Sequence, residues 1–409
     1  MLESGVCSER GPAGYVQVVK PRLRDARWVI DDGIPITPAL EYLMGEPRVL
    51  SGRDIDAKAV ADAEVLLVRS ITRVDPQLLE GSRVRFVGSA TAGTDHIDIG
   101  ALAQMGIAWA AAPGSNALAV VEYVLSAIAL SGFLPRVLNG LPVGIVGLGM
   151  VGKRLAVRLQ QLGCVVRAHD PLVRDWPDNV TRASLDDVLS QPVVSLHANL
   201  HCEAPHPSQS FLDLSQAESM AQAAEQRGMG LFINAARGEL LTPEALSRLL
   251  ASPLTVILDT WPGEPVLSDA FLSQADWLSP HIAGHSLDAK MRGSNMLAQA
   301  LVRWAGEDSH SLPTDFSVMS AGERSLEGRW SGTDATDWAA DFLVSQGTLA
   351  REDARIRATG SRGLLPPTFD ALRKTYQQPS EWSGQAIRMH GGAPELRNMA
   401  KRLGLSVVE

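Results

Sequence analysis

Val143-Gly144-Ile145-Val146-Gly147-Leu148-Gly149-Met150-Val151-Gly152 is the stretch that decides the fold. A short apolar strand signal runs straight into G-x-G-x-x-G, and a helical stretch, 153–162, follows at once. Gly147 permits the tight turn, Gly149 lets a pyrophosphate approach the backbone, and Gly152 allows the helix to pack closely on the strand. The phosphates would lie at the helix N-terminus, near Met150 and Val151, where free N–H groups and the helix dipole favour anions. Taken alone this is a weak signal, and a Gly-rich turn with a helix-capping Asp would read the same way. The next strand, however, ends at His169-Asp170, 21 residues beyond Gly149, where a carboxylate meets a ribose 2′-hydroxyl. Because Asp170 would repel a 2′-phosphate, NAD is expected over NADP, although Arg167 and Arg174 stand close in sequence.

Outward from this unit, short apolar runs alternate with helical stretches. Trp28-Val29-Ile30, Val65-Leu66-Leu67-Val68 and Phe86-Val87 precede it, while Val193-Val194, Leu231-Phe232-Ile233 and Val256-Ile257-Leu258 follow. That alternation predicts βαβ units and parallel sheets. Between the two series, residues 117–134 are apolar for nearly a membrane span. Glu122 and the preceding turn Pro113-Gly114-Ser115-Asn116 favour a buried helix. The first 25 residues read as an extension without periodicity, and 306–335, rich in Ser, Gly and charge, as a linker. The chain of 409 residues has 45% hydrophobic and 20% charged residues and a net charge of -9, the balance of a globular protein that does not bind nucleic acid. Three cysteines without CxxC spacing argue against disulfides or structural zinc, no metal is expected, and the first twenty residues lack a signal-peptide core; a cytoplasmic protein is expected.

Three further segments each follow a predicted strand, where open α/β sheets place ligands. Ile233-Asn234-Ala235-Ala236-Arg237-Gly238 offers an arginine, the 258–265 segment offers Asp259 and Glu264, and Ser279-Pro280-His281-Ile282-Ala283-Gly284 a histidine. Singly, Arg237 reads as a surface ion-pair residue, Glu264 as a solvated turn residue and His281 as a cap or core histidine. Together, behind a dinucleotide fingerprint, they make an alcohol-oxidising set. Histidine takes the hydroxyl proton, a carboxylate on its other nitrogen fixes the tautomer, and an arginine fork clamps a substrate carboxylate.

The run from Gly147 to Gly284 resembles the D-isomer-specific 2-hydroxyacid dehydrogenase family, with GxGxxG…D, N-x-x-R-G, D-x-x-x-x-E-P and H-x-A-G in order. The resemblance implies that Arg237, Glu264 and His281 are catalytic, and that Asp259, Gly284 and the backbone at Ala235 and Ala236 contact NAD. Val68-Arg69-Ser70, Ser89 through His96 and 369–382 carry a narrower resemblance, to the branch that oxidises 4-phosphoerythronate in vitamin B6 biosynthesis. It implies Ser70 and Thr91 as substrate ligands. On charge alone Arg69 and the pair Lys290 and Arg292 are candidates for a substrate phosphate. Two positions depart from the family pattern: Ala198 replaces a residue that often carries a hydroxyl, and His285 stands where a substrate-binding tyrosine is usual.

The expected architecture is therefore α/β, with two Rossmann-like doubly wound domains and a small C-terminal α+β domain. Residues 26–118, completed by 284–305, would bind substrate as a lid, 119–283 would bind NAD, and 336–409 would hold a homodimer. Phe369, Leu372, Tyr376 and Trp382 are the expected interface anchors, because so small a unit has difficulty burying them alone. Competing readings are a phosphoglycerate- or hydroxypyruvate-type substrate and a non-catalytic NAD-sensing scaffold.

Overall fold

The computed structural model describes residues 22–307, 312, 326–328, 334–359, 366–389 and 394–408. Of the N-terminal extension, residues 1–21 lie outside this set. Leu23 is already part of the core, 1% exposed, and its carbonyl accepts from Trp28 Nε1 at 2.9 Å. Leu23 thus joins the core ahead of the boundary expected at residue 25.

Two all-parallel sheets carry the architecture. The first contains β1 (Trp28–Asp31), β2 (Arg48–Leu50), β3 (Val65–Val68), β4 (Phe86–Ser89) and β5 (Ala108–Ala110), in the order β2-β1-β3-β4-β5. The second contains β6 (Val143–Val146), β7 (Val166–His169), β8 (Thr181–Arg182), β9 (Val193–Leu196), β10 (Gly230–Asn234), β11 (Leu254–Leu258) and β12 (Trp277–Leu278). Its order is β12-β11-β10-β9-β6-β7-β8. In it, β6 pairs with β7 on one side and β9 on the other, so the strand order reverses there and leaves a crevice beyond the carboxyl ends. The strands β3, β4, β6 and β9 are buried at every position, which is why they read as continuous apolar runs. The exposed edge strand β2 had no such signal.

Helix Ala117–Leu130 bridges the two sheets. Nearly every residue in it is buried, Glu122 included, and no helix among the described residues is long and apolar enough to cross a membrane. Helix Leu287–Ala305 returns to the first sheet, where Leu297, Leu301 and Val302 pack with Trp28, Leu67 and Phe86.

The C-terminal chain corrects two expectations. The stretch 306–335 contains a strand, β13 (Leu326–Gly328), which pairs with β14 (Ala386–Met389), itself paired with β15 (Ser406–Val408). Part of the expected linker therefore belongs to the small sheet, and a three-residue strand amid Ser and Gly gives too little periodicity to detect. The second correction concerns the aromatic residues. Phe369, Leu372, Tyr376 and Trp382 are 3%, 8%, 7% and 4% exposed within a single chain. Phe369 meets Trp261 edge-on at 5.9 Å, and Trp382 meets Phe342 at 5.9 Å. Tyr376 and Trp382 join the core of Val143, Ile145 and Ile233, whereas Phe369 and Leu372 join that of Phe232 and Val256. The C-terminal segment thus packs on both faces of the seven-stranded sheet. Each buried aromatic contributes roughly 2 kcal/mol to that attachment, so these side chains are not free to anchor a second subunit.

Candidate active site

The glycine fingerprint adopts the geometry its spacing implied. Gly147 has φ +92, and a Cβ there would lie 2.5 Å from Ala198 N, so the turn admits only glycine. A Cβ at Gly152 would collide with the Gly147 carbonyl, whereas one at Gly149 would meet nothing. Helix Met150–Gln161 starts at Gly149 without a side-chain cap, and its first backbone bond comes from Lys153 N. The N–H groups of Met150, Val151 and Gly152 thus face the open side of Gly149. Asp170, just beyond β7, accepts from Leu148 N at 2.7 Å through Oδ2 and from Leu172 N and Val173 N through Oδ1. Its carboxylate holds the glycine turn while standing beside it.

At the ends of β11 and β12 the catalytic pair assembles. His281 Nδ1 lies 2.8 Å from Glu264 Oε1; the ring is about one-third exposed and the carboxylate mostly covered. His281 has φ +54, a left-handed conformation that costs a non-glycine residue on the order of 1 kcal/mol or more. Its surroundings enforce it. His281 N donates to Asp259 O and Ser279 O, and the Asp259 carboxylate accepts from Ser279 Oγ, Ile282 N and Ala283 N. Asp259 is 1% exposed, and burial pushes its carboxyl above the ordinary range, opposed chiefly by the charge of His281. Within the chain, Asp259 holds the turn that aims His281. Gly284 closes this turn against Asn116, whose side chain occupies the place of a Cβ.

Asn234, at the end of β10, does for the arginine loop what Asp259 does for the histidine. Fully buried, it donates to Arg237 O at 3.0 Å and accepts from Ala236 N at 3.1 Å, fixing the backbone of Ala235 and Ala236. Arg237 is not free: Nε and Nη2 both reach Asp95 Oδ2, at 3.2 and 3.0 Å, and Nη1 donates to Ala236 O. Asp95 lies beyond β4, so the pair crosses between the two sheets. Thr91, in the same loop, bonds Ser89 Oγ at 2.8 Å, and Ser89 also meets His96 Nε2. Burial pushes His96 down to about 4, so it is neutral near pH 7. Ser70 is exposed at the end of β3.

The expected phosphate ligands separate. Arg292 is committed elsewhere: Nη1 and Nη2 hold Glu381 at 2.7 and 2.5 Å, and Nε donates to Ser115 O. Buried Glu381 also accepts from Ser286 Oγ, which leaves Arg292 a structural tie between helix Leu287–Ala305 and the C-terminal segment. Arg69 is largely committed, with Nε and Nη2 on the fully buried Asp31 and Nη2 also 3.5 Å from Asp32, which leaves Nη1. Lys290 makes no ion pair among the described residues. His285 meets Arg373 Nη2 through Nε2 at 3.3 Å, and burial holds its ring well below the ordinary histidine range. At the other departure, Ala198 leaves its backbone pressed against Gly147.

Sequence reasoning thus missed Asn234, Asp95, Glu381 and Arg373 as parts of this region. Asn234 carried a signal as a polar residue closing an otherwise apolar strand, and the other three lie in segments that carried the narrower resemblance without a role of their own.

Residues 34–313 match the family described as D-isomer specific 2-hydroxyacid dehydrogenase, catalytic domain. Erythronate-4-phosphate dehydrogenase of Pseudomonas entomophila is 39% identical over 393 residues, 93% of this chain and 98% of that protein. The enzyme of the same name from Chromohalobacter salexigens is 43% identical over 399 residues, again 93% and 98%. Among solved structures, NAD+-bound 3-phosphoglycerate dehydrogenase of Entamoeba histolytica aligns with a TM-score of 0.58 at 22% identity, across 71% of this chain and 98% of that one, a likeness of fold. With its fingerprint, its Glu264–His281 pair and Arg237 at neighbouring strand ends, this chain belongs to the D-isomer-specific 2-hydroxyacid dehydrogenases.

Proposed function

We propose that the chain oxidises the 2-hydroxyl of erythronate 4-phosphate to 3-hydroxy-2-oxo-4-phosphooxybutanoate, with NAD as hydride acceptor. The observation that carries the reading is the 2.8 Å bond between His281 Nδ1 and Glu264 Oε1, beyond the carboxyl ends of the same sheet that presents Arg237 and the glycine turn. Relatives that bear that substrate in their names align over nearly the whole chain, including the C-terminal segment. The residues present fit NAD: three helix N–H groups face the space above Gly149, and a carboxylate flanks the turn.

A bound NAD would supply the acceptor for the hydride that leaves C2. His281 Nε2 takes the proton of the 2-hydroxyl, while Nδ1–H donates to Glu264, which sets the tautomer and stabilises the charge that forms. Arg237 exchanges Asp95 for the substrate's carboxylate and polarises the nascent 2-oxo group. Ser70, Thr91, His285 and Arg69 line the substrate side, and Gly147, Gly149, Met150, Val151, Gly152, Asp170, Ala235, Ala236, Arg237, Asp259 and Gly284 the cofactor side. In this reading residues 26–118 with 284–305 form the lid and 119–283 the cofactor domain, and the chain acts as a homodimer held through 336–409. The aromatics there being buried, surface residues of the small sheet would have to make the contact, and light scattering should return twice the 43.8 kDa chain mass.

The direct test is NADH formation with 4-phosphoerythronate, 3-phosphoglycerate and glycerate as substrates. A kcat/KM highest for 4-phosphoerythronate, and far higher with NAD than NADP, supports the reading. Preference for 3-phosphoglycerate would replace it, and bound NAD without turnover on any acid would favour a scaffold.

A further inference from the structure

Most buried or half-buried arginines around the site have an acidic partner: Arg237 has Asp95, Arg292 has Glu381, Arg69 has Asp31, and Arg357 has Asp353. Among the described residues Arg373 and Lys290 form no ion pair, although Glu264, Asp259 and Asp370 act on Arg373, and Asp31 on Lys290, from further off. Arg373, on helix Pro366–Lys374, bonds His285 Nε2 at 3.3 Å and lies over the Phe369 ring with Cζ 5.6 Å from its centre. Its Nε is buried and has no hydrogen-bond partner. Phe369 in turn rests on Trp261, three residues before Glu264, so the guanidinium is seated against the catalytic loop. Lys290 is four residues beyond the N-cap Ser286 of helix Leu287–Ala305, which begins just after His285. Burial lowers the affinity of both groups for their protons; Arg69 adds to it, while Glu264, Asp259 and Asp370 oppose it at Arg373 and Asp31 opposes it at Lys290. A buried guanidinium whose Nε has no partner, beside an ammonium held in no ion pair, is unfavourable unless a further acceptor completes the set.

We propose that Arg373 and Lys290, with the free edge of Arg69, seat the substrate's phosphate, so that the C-terminal segment supplies the group that selects a phosphorylated acid. This rests on the dehydrogenase reading above and extends it. Arg237 would hold the carboxylate at C1, His281 would face the hydroxyl at C2, and the cations beside His285, four residues past His281, would meet the phosphate on C4. His285, kept neutral, accepts from Arg373 and orients it, which explains a histidine where a tyrosine is usual. Arg373 lies outside residues 34–313, the span shared with the wider family, as expected of a device for one class of substrate.

The test compares Arg373→Met and Lys290→Met with the wild type on 4-phosphoerythronate and on erythronate. Loss of one charge-assisted contact should lower kcat/KM for the phosphorylated acid by roughly 10- to 100-fold and for erythronate far less. Arg373→Lys should recover part of the loss. Binding of inorganic phosphate, read by calorimetry in the presence of NAD, should weaken in both Met variants. Equal losses on both acids, or unchanged phosphate binding in both folded variants, would overturn the seat. If the wild type ignores 4-phosphoerythronate, the dehydrogenase assignment fails, and phosphate calorimetry alone still decides whether these cations form an anion site. Should Arg373→Met not fold, Lys290→Met, at a half-buried position in the first turns of its helix, carries the same comparison.

Discussion

The Glu264–His281 pair and the Arg373–Lys290 pair both stand beside His281's loop, yet they are built in opposite ways. The first is assembled from the ends of adjacent strands β11 and β12, and Asp259, at the end of β11, grips the turn between them. Everything it needs lies between residues 259 and 283. The second draws Lys290 from the helix that returns to the first sheet and Arg373 from a segment more than eighty residues later. A local pair survives as a spacing in the sequence. A pair gathered from distant chain leaves no spacing to read, and only packing, here Phe369 on Trp261, brings it into being.

If the local pair is the chemical centre, its loss should dominate all other effects. His281→Ala should lower kcat by roughly 10²- to 10⁴-fold, the usual contribution of a general acid/base, with NAD affinity by fluorescence titration nearly intact. A tenfold loss or less would move the proton transfer to another group. Glu264→Gln should cost about one order of magnitude and displace the acid limb of the pH–rate profile to lower pH, because the neutral amide no longer stabilises the imidazolium. A profile that overlays the wild type would break the pair.

The bridge between the two sheets provides a finer test. Asp95 occupies the two guanidinium nitrogens that the substrate's carboxylate would use. It is more than half exposed, and such an ion pair is worth at most about 1 kcal/mol. Asp95→Asn should therefore lower KM by two- to fivefold, with kcat changed little. A rise in KM would instead make Asp95 the group that positions Arg237.

The smallest effect on turnover is expected far from the chemistry. Burial pushes Glu122 up to about 8, against the pull of the Ser383 and Trp382 N–H groups that it binds. A carboxyl raised in the folded state favours folding most below its ordinary value near 4.5, and that advantage is lost as pH rises towards 8. Denaturant titrations should find stability declining through this window by an amount on the order of 1 kcal/mol or more. In Glu122→Gln that decline should be reduced, and an unchanged pH slope would show that Glu122 stays ionised on its two N–H donors.

Much of the fold was legible because buried parallel strands must be apolar throughout, as in Val65-Leu66-Leu67-Val68, and because a dinucleotide turn tolerates only glycine at Gly147 and Gly152. Edge strand β2, half solvated, carried no such constraint. The aromatics of 369–382 were rightly read as needing burial, but hydrophobicity has no direction and does not say which surface will cover them. They were expected on a second subunit and lie on the seven-stranded sheet.

The sequence by itself determined the parallel α/β plan, the glycine turn, and Arg237, Glu264 and His281 at three strand ends, since strand, turn and helix are set by residues close in the chain. Only the tertiary structure decided that Asp259 holds the histidine turn, that Arg237 meets Asp95, that Arg292 belongs to Glu381, and that Arg373 meets His285. Charge acts through space, and which charges become neighbours is settled by packing.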